Sequence, residues 1–184
     1  MAATRLFAAR GYAGTTLAGI AVAADVAVET VYAGFGSKKA LLGAAMDVAI
    51  VGDTAPVPLF ERPEAHRIEA LPPGERMPAL FAWVGRVYSG PVAGVWQAML
   101  EAAANDPEVA GWCVEHERRR RSTLVDWLAA NLDTLPQDAV IDQMWAITSM
   151  EVFGKLTRER GWSVEQWARW MVDAMRLLAP DLPR

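Results

Sequence analysis

The chain has 184 residues, just over half of them apolar, with a formal net charge of −4. That is enough apolar material for a packed core in one large domain or a small domain plus a larger one. The slightly acidic balance excludes a chain that is basic throughout. One cysteine, Cys113, excludes a disulfide framework. With His66 and His116 as the only histidines, no Cys/His cluster has zinc spacing. Helix formers dominate and β-branched alternation is scarce, which predicts an all-α protein.

The start, MAATRLFAARGY, has no cationic segment leading into a long apolar core, so it does not read as a signal peptide. The longest apolar run, 40–51, is interrupted by Asp47 and is shorter than the ~20 residues of a spanning helix. These features point to a soluble, cytoplasmic protein. Residues 1–51 carry four basic residues (Arg5, Arg10, Lys38, Lys39) against three acidic ones (Asp25, Glu29, Asp47), a net charge of +1. The acidity therefore sits in the remainder.

In chain order, Thr4 to Arg10 reads as the end of a helix with Leu6 and Phe7 on its apolar face, stopped by Gly11 as a left-handed C-terminal residue. Thr15 or Thr16 caps a second helix to about Ala24. Asp25-Val26-Ala27 forms a tight turn, and Val28 to Phe35 forms a third helix ended by Gly34 and Gly36. Ser37 caps a fourth through about Val51. Residues 52–74 then change character: Pro56, Pro58, Pro63, Pro72, Pro73 and Gly74 punctuate a connector with room for one short helix, Glu64 to Leu71. Further helices are predicted at Glu75–Ser89, Val92–Asn105, Pro107–Asn131, Asp138–Arg160 and Val164–Leu178. Asp106-Pro107 and a Ser163/Gln166 capping box mark two of the starts.

Two short helices joined by a tight turn are the pattern of a helix-turn-helix. Ala3, Leu6-Phe7, Gly11-Tyr12, Thr15-Thr16, Ile20-Ala21, Ala24 and Val26, Thr30-Val31-Tyr32, Phe35, Ser37-Lys38 and Leu41-Leu42 together resemble the N-terminal domain of the tetracycline-repressor (TetR) family. The resemblance covers about fifty residues and is specific only as a combination. Beyond it, the chain is similar to the family in being a helical domain of suitable length.

A recognition helix must be pinned on one face and exposed on the other. Ile20, Ala21, Val26, Val31 and Phe35 are expected to form the pinned side, and Ala27, Val28, Glu29, Thr30, Ala33 and Gly34 the exposed one. Thr15, Thr16, Tyr32 and Lys38 are candidates for phosphate contacts, with the amides of the helix starts. The DNA-binding set is thus Thr15, Thr16, Ala27, Val28, Glu29, Thr30, Tyr32, Ala33 and Lys38. The chain departs from the resemblance at several points. Ala33 and Gly34 stand where tight-binding members carry bulkier residues, Asp25 replaces a turn glycine, and Ala27 replaces a capping Ser or Thr. The sequence also begins inside what the resemblance makes the first helix; a trimmed or wrongly assigned start would explain this.

The exposed face of the third helix carries no Arg, Asn or Gln, so bidentate reading of guanine or adenine is not available from it. Val28 and Ala33 against thymine methyls, Glu29 accepting from cytosine, and Thr30 remain. Specificity is expected to lean on apolar contacts and DNA shape.

All eight tryptophans lie after residue 82. Core packing accounts for most of them. The resemblance also implies an effector cavity, with Trp83, Tyr88, Trp96, Met99, Trp112, His116 and Trp145 as candidate walls. The last two long helices are apolar over more than one face. Trp145, Thr148, Val152, Phe153, Trp167, Trp170, Met171 and Met175 are therefore assigned to a two-fold dimer interface. The run Arg118 to Arg121 reads as a solvated face partnered by Glu115 and Glu117.

No Ser/His/Asp set is visible. The stretch 34–38, GFGSK, lacks the spaced first glycine and the preceding strand of a phosphate loop. The expectation is a non-enzymatic, all-α, homodimeric regulator without cofactor, and without membrane attachment. A DNA-binding domain spans 1–45, its first helix truncated, and a ligand-binding and dimerisation domain spans 46–184. It would repress from a palindromic double-stranded operator, with a small apolar or aromatic effector shifting the population toward heads that no longer match successive grooves. The alternative is a dimeric small-molecule-binding protein with a degenerate DNA head.

Overall fold

Ser and Thr caps, terminal glycines and helix-starting prolines divide this chain into short helices. A computed structural model describes residues 1–52, 55 and 61–183, and among these every regular element is helical. In order they are α1 (Ala2–Arg10), α2 (Leu17–Ala24), α3 (Val28–Phe35), α4 (Lys38–Val51), α5 (Pro63–Glu69), α6 (Pro73–Val87), α7 (Ala93–Ala103), α8 (Pro107–Asn131), α9 (Asp138–Ile147), α10 (Met150–Gly154) and α11 (Val164–Leu178). A kinked segment with Gly90 in non-helical backbone, φ −78° and ψ −162°, follows α6 (Tyr88–Val92), and a single π-helical turn follows α10 (Lys155–Glu159). Of the connector prolines, Pro56 and Pro58 lie outside the described residues. Pro63 and Pro73 open α5 and α6, where a missing amide hydrogen costs nothing.

The chain divides into two compact units: Met1–Pro56 with Gly90–Glu115, and Val57–Ser89 with His116–Arg184. In the first, α1 packs on α4 and α7, and α4 packs on α7. Phe7, Ile20, Ala21, Val31, Leu42, Met46, Val95 and Trp96 are buried there. Gly94 permits the approach of α7 to α1: a Cβ at this position would lie 2.6 Å from the Ala8 carbonyl oxygen.

In the second unit α11 packs along α6. Its core gathers Met77, Phe81, Leu128, Ile141, Met144, Phe153, Trp167, Met171 and Met175. Trp167 is central, with ring centroids 5.0 Å from Phe153 and 6.0 Å from Phe81, both edge-on. Such contacts add to simple area burial. The Ser163/Gln166 capping box forms as the sequence predicts.

Three expectations are corrected. Gly11 has φ 68° but ψ −175°, so it ends α1 by turning the chain out into extended backbone, not in the left-handed helical region. The single helix expected over Asp138–Arg160 is broken: Ser149 accepts the amide of Val152 and starts α10 afresh, while the Thr148 hydroxyl bonds back to the Trp145 carbonyl at 2.9 Å. The third correction follows from this break. Residues on either side of it no longer share one helical wheel, so Met144 and Phe153 both enter one core. Phe153, Trp167, Met171 and Met175, assigned from sequence to a dimer interface, are buried inside this unit. Trp145, Thr148, Val152 and Trp170 stay half-buried.

Candidate nucleic-acid interface

The reading head is built from α2, the turn after it, and α3. Thr16 caps α2, its hydroxyl oxygen accepting the Gly19 amide at 3.0 Å. Asp25 ends α2 in the left-handed region, φ 55° and ψ 48°, a conformation a short Asp side chain tolerates. The Val26 amide then returns to the Ala21 carbonyl at 3.1 Å. Between α2 and α3 the chain bends by 110°. That angle lies within the range of a helix-turn-helix.

Ile20 and Ala21 of α2 and Val31 of α3 are buried and pin the corner. Val26 and Phe35, expected beside them, are instead 43% and 44% exposed. Within α3 only Val31 is buried. Ala27, Val28, Glu29, Thr30, Tyr32, Ala33 and Gly34 are all exposed on α3 or at its start. A Cβ at Gly34 would meet no heavy atom within 4 Å, so a larger side chain fits there without displacing anything.

Thr15 is a correction. It is 2% exposed, and its hydroxyl hydrogen bonds run inward to the carbonyls of Gly11 at 2.7 Å and Leu6 at 3.2 Å. It staples the end of α1 and cannot reach a phosphate. Lys38 is largely committed as well: its Nζ donates to the carbonyls of Tyr12 at 2.9 Å and Thr15 at 3.1 Å, and sits 4.0 Å over the Tyr12 ring. Ala27 opens α3 with no side-chain cap. Ala27→Ser is expected to stabilise α3 by about 1 kcal/mol, read as slower amide exchange through Val31–Phe35.

Two contacts in this unit had no local sequence signal. Glu101 of α7 accepts the amides of Tyr12 at 2.7 Å and Ala13 at 3.1 Å. Lys39 pairs with Asp106 at 3.1 Å and Glu108 at 2.6 Å at the start of α8. The hydrogen bond from Lys39 holds the Asp106 carboxyl below the usual range.

Residues 1–45 match the family model for bacterial regulatory proteins of the tetR family. These first 45 residues form a helix-turn-helix head of the tetR type. The wider fold agrees. It is similar to a crystal structure of a TetR-family transcriptional regulator from Mesorhizobium loti MAFF303099, with TM-score 0.72 and 18% identity over 97% of this chain and 92% of that one. It is also similar to a TetR-like transcriptional regulator from Rhodococcus sp. RHA1, with TM-score 0.64 and 19% identity over the same shares. At these identities the likeness is one of fold. No curated protein matches the chain. The fold likeness extends over nearly the whole chain, beyond the first 45 residues.

The seven candidate cavity residues divide between the units. Trp96 and Met99 are buried in the first, where Trp112 lies against Gly43, 3.5 Å from where a Cβ would sit. In the second, Trp83 packs with Ala65 and Ile68 in a small separate cluster. Tyr88 and Trp145 belong to a polar network that the sequence did not reveal. The Tyr88 hydroxyl donates to the Thr148 carbonyl at 3.2 Å. Arg120 donates to the Trp145 carbonyl at 2.7 Å and to the Thr148 hydroxyl at 2.9 Å, and reaches Glu117 through both Nε and Nη2 at 3.0 and 2.8 Å. Burial pushes the Tyr88 hydroxyl up to about 12. The arginine run, expected to be a solvated face, instead turns Arg120 inward, onto the expected partner Glu117, while Arg121 pairs with Asp138 and Asp142 of α9.

Burial pulls the His116 imidazole below its ordinary 6.5, with Glu117 acting in the opposite sense. In the pH interval between the ordinary and lowered values, the unfolded chain binds a proton that the folded one refuses, so stability falls as pH falls. From pH 7 to 5 the wild type is expected to lose more urea resistance than His116→Gln. Equal losses in the two proteins would remove His116 from the pH response.

Proposed function

We propose that the chain is a ligand-responsive transcriptional repressor that binds palindromic operator DNA as a homodimer and is released by a small apolar or aromatic effector. The observation that carries the DNA reading is the 110° corner whose second helix is anchored by Val31 and bares Val28, Glu29, Thr30, Tyr32 and Ala33. Thr16, Ala27 and Lys38 flank this face. Val28 and Ala33 suit thymine methyls, Glu29 suits a cytosine amino group, and the hydroxyl protons of Thr16 and Tyr32 suit phosphates. Half-buried Tyr88, His116 and Trp145 are the effector-side candidates that gather around Arg120 and Glu117. Val152 and Trp170 are the dimer candidates left partly outside the core. Among the described residues no single helix is long and apolar enough to cross a membrane.

Selection from a random duplex pool, followed by binding titrations at several salt concentrations, tests this. A palindromic consensus with steep salt dependence is expected. Glu29→Ala should relax one operator position per half-site; an unchanged preference at every position removes the cytosine contact. Sedimentation of the free protein tests the dimer, with a monomer at micromolar concentration as the contrary result.

A further inference from the structure

We infer that Glu101, on α7 and 89 residues from the loop it holds, is a positioning residue for DNA binding, acting through Lys38. This rests on the DNA reading above and adds a residue that no recognition motif contains.

The loop between α1 and α2 is held from two sides. Glu101 takes the Tyr12 and Ala13 amides on its two carboxylate oxygens, at 2.7 and 3.1 Å. Lys38 takes the Tyr12 and Thr15 carbonyls of the same loop, at 2.9 and 3.1 Å, and lies over the Tyr12 ring, which stacks in turn on Phe7 at 6.2 Å. Tyr12 is thus gripped at its amide by a carboxylate and at its carbonyl and ring by an ammonium. Charge-assisted hydrogen bonds of this kind are the strong ones.

The backbone is shaped for the carboxylate. Gly11 has φ +68°, and a Cβ there would stand 2.7 Å from Glu101 Oε2. Glycine at this position serves both the conformation and the access. An ammonium has three N–H bonds, and two are spent on the loop. The third is left for a phosphate, and its direction is set by the loop. Thr16, which follows directly and caps α2, is placed by the same loop.

The sign of the effect separates this from plain electrostatics. Removing a negative charge from a DNA-binding unit should strengthen binding to the polyanion. If Glu101 positions Lys38, Glu101→Gln weakens operator binding instead. The test uses the full chain and a fluorescein-labelled duplex selected by the wild type from a random pool. Glu101→Gln is expected to weaken binding about tenfold, the order of one lost hydrogen bond to a charged group. Lys38→Met is expected to weaken it similarly and to flatten the slope of log K against log salt by about one per head. The double variant should be no weaker than Lys38→Met alone, because the second residue acts through the first. Binding by Glu101→Gln as tight as wild type or tighter, or losses that multiply in the double variant, overturns the inference. A measurement on the wild type alone guards against a misfolded variant: the Tyr12 and Ala13 amides, although on a loop, should exchange slowly with solvent, and rapid exchange of both overturns it too. A wild type that selects no duplex ends the DNA reading itself, and this inference with it.

Discussion

Trp167→Ala is expected to destabilise the second unit by about 4 kcal/mol, whereas Trp167→Phe is expected to cost about 1 kcal/mol. The difference follows from how the indole is used. Trp167 is fully buried, with Phe81, Tyr88 and Phe153 around its ring. Gly85 lies beneath it, a Cβ there falling 3.3 Å from Trp167 Cε3, so the backbone of α6 approaches the ring directly. Truncation to Ala would open a cavity that neither helix can close. The indole nitrogen, by contrast, is buried with no hydrogen-bond partner among the described residues. A buried donor without an acceptor is itself unfavourable by about 1–3 kcal/mol, and Phe removes it while keeping most of the aromatic volume. The readout is amide exchange of α6 and α11, because two compact units need not unfold as one. A Phe variant as damaged as the Ala variant would mean that the N–H group, and not the ring, holds this core together.

The second large effect is expected at Glu117. Its carboxylate holds the Arg120 guanidinium, whose side chain is 14% exposed against 26% for Glu117. Removing one partner of such a pair leaves a charge with little water to take its place. Glu117→Ala is expected to cost about 2–3 kcal/mol, less than for a fully buried pair because Glu117 keeps some contact with solvent. Glu117→Gln should be milder, since its amide oxygen still accepts from Arg120. Exchange of both residues for Leu and Met should recover only part of the loss, because Arg120 also satisfies the Trp145 carbonyl and the Thr148 hydroxyl. Full recovery in the double variant would show those two bonds to be dispensable. Measured as urea midpoints, the three variants rank the charge pair against the backbone contact. The same variants test the proposed effector response, since Tyr88 and Trp145 sit in this network.

Much of the head was legible because its signals are local. Thr16 and Ser37 as caps, Asp25 in the left-handed turn and Gly36 after α3 each act within four residues of where they stand. Apolar Ile20 and Ala21, eleven and ten residues before Val31 and on the other side of a turn, suffice to specify a corner. The bare face of α3 also followed, since an apolar anchor at Val31 leaves Glu29, Thr30 and Ala33 outward. Where local reading erred, it erred on direction. Thr15 and Thr16 are chemically near-identical, and only the position of the Gly11 and Leu6 carbonyls turns Thr15 inward. Val26 and Phe35 look like core residues by type, yet the corner closes without them.

The amino-acid order alone determined the helical class, the boundaries set by caps and prolines, and the exposed composition of α3, because helix starts, stops and turns draw on side chains a few positions away. The tertiary structure alone decided which of the apolar residues in α9 to α11 become interior, since the break at Thr148–Ser149 puts Met144 and Phe153 into one core that no single helical wheel contains. It also decided that Glu101 and Asp106 fasten the reading head. Hydrogen bonds and ion pairs between residues 67 to 89 positions apart depend on how helices meet. Nothing in the neighbouring sequence encodes that meeting.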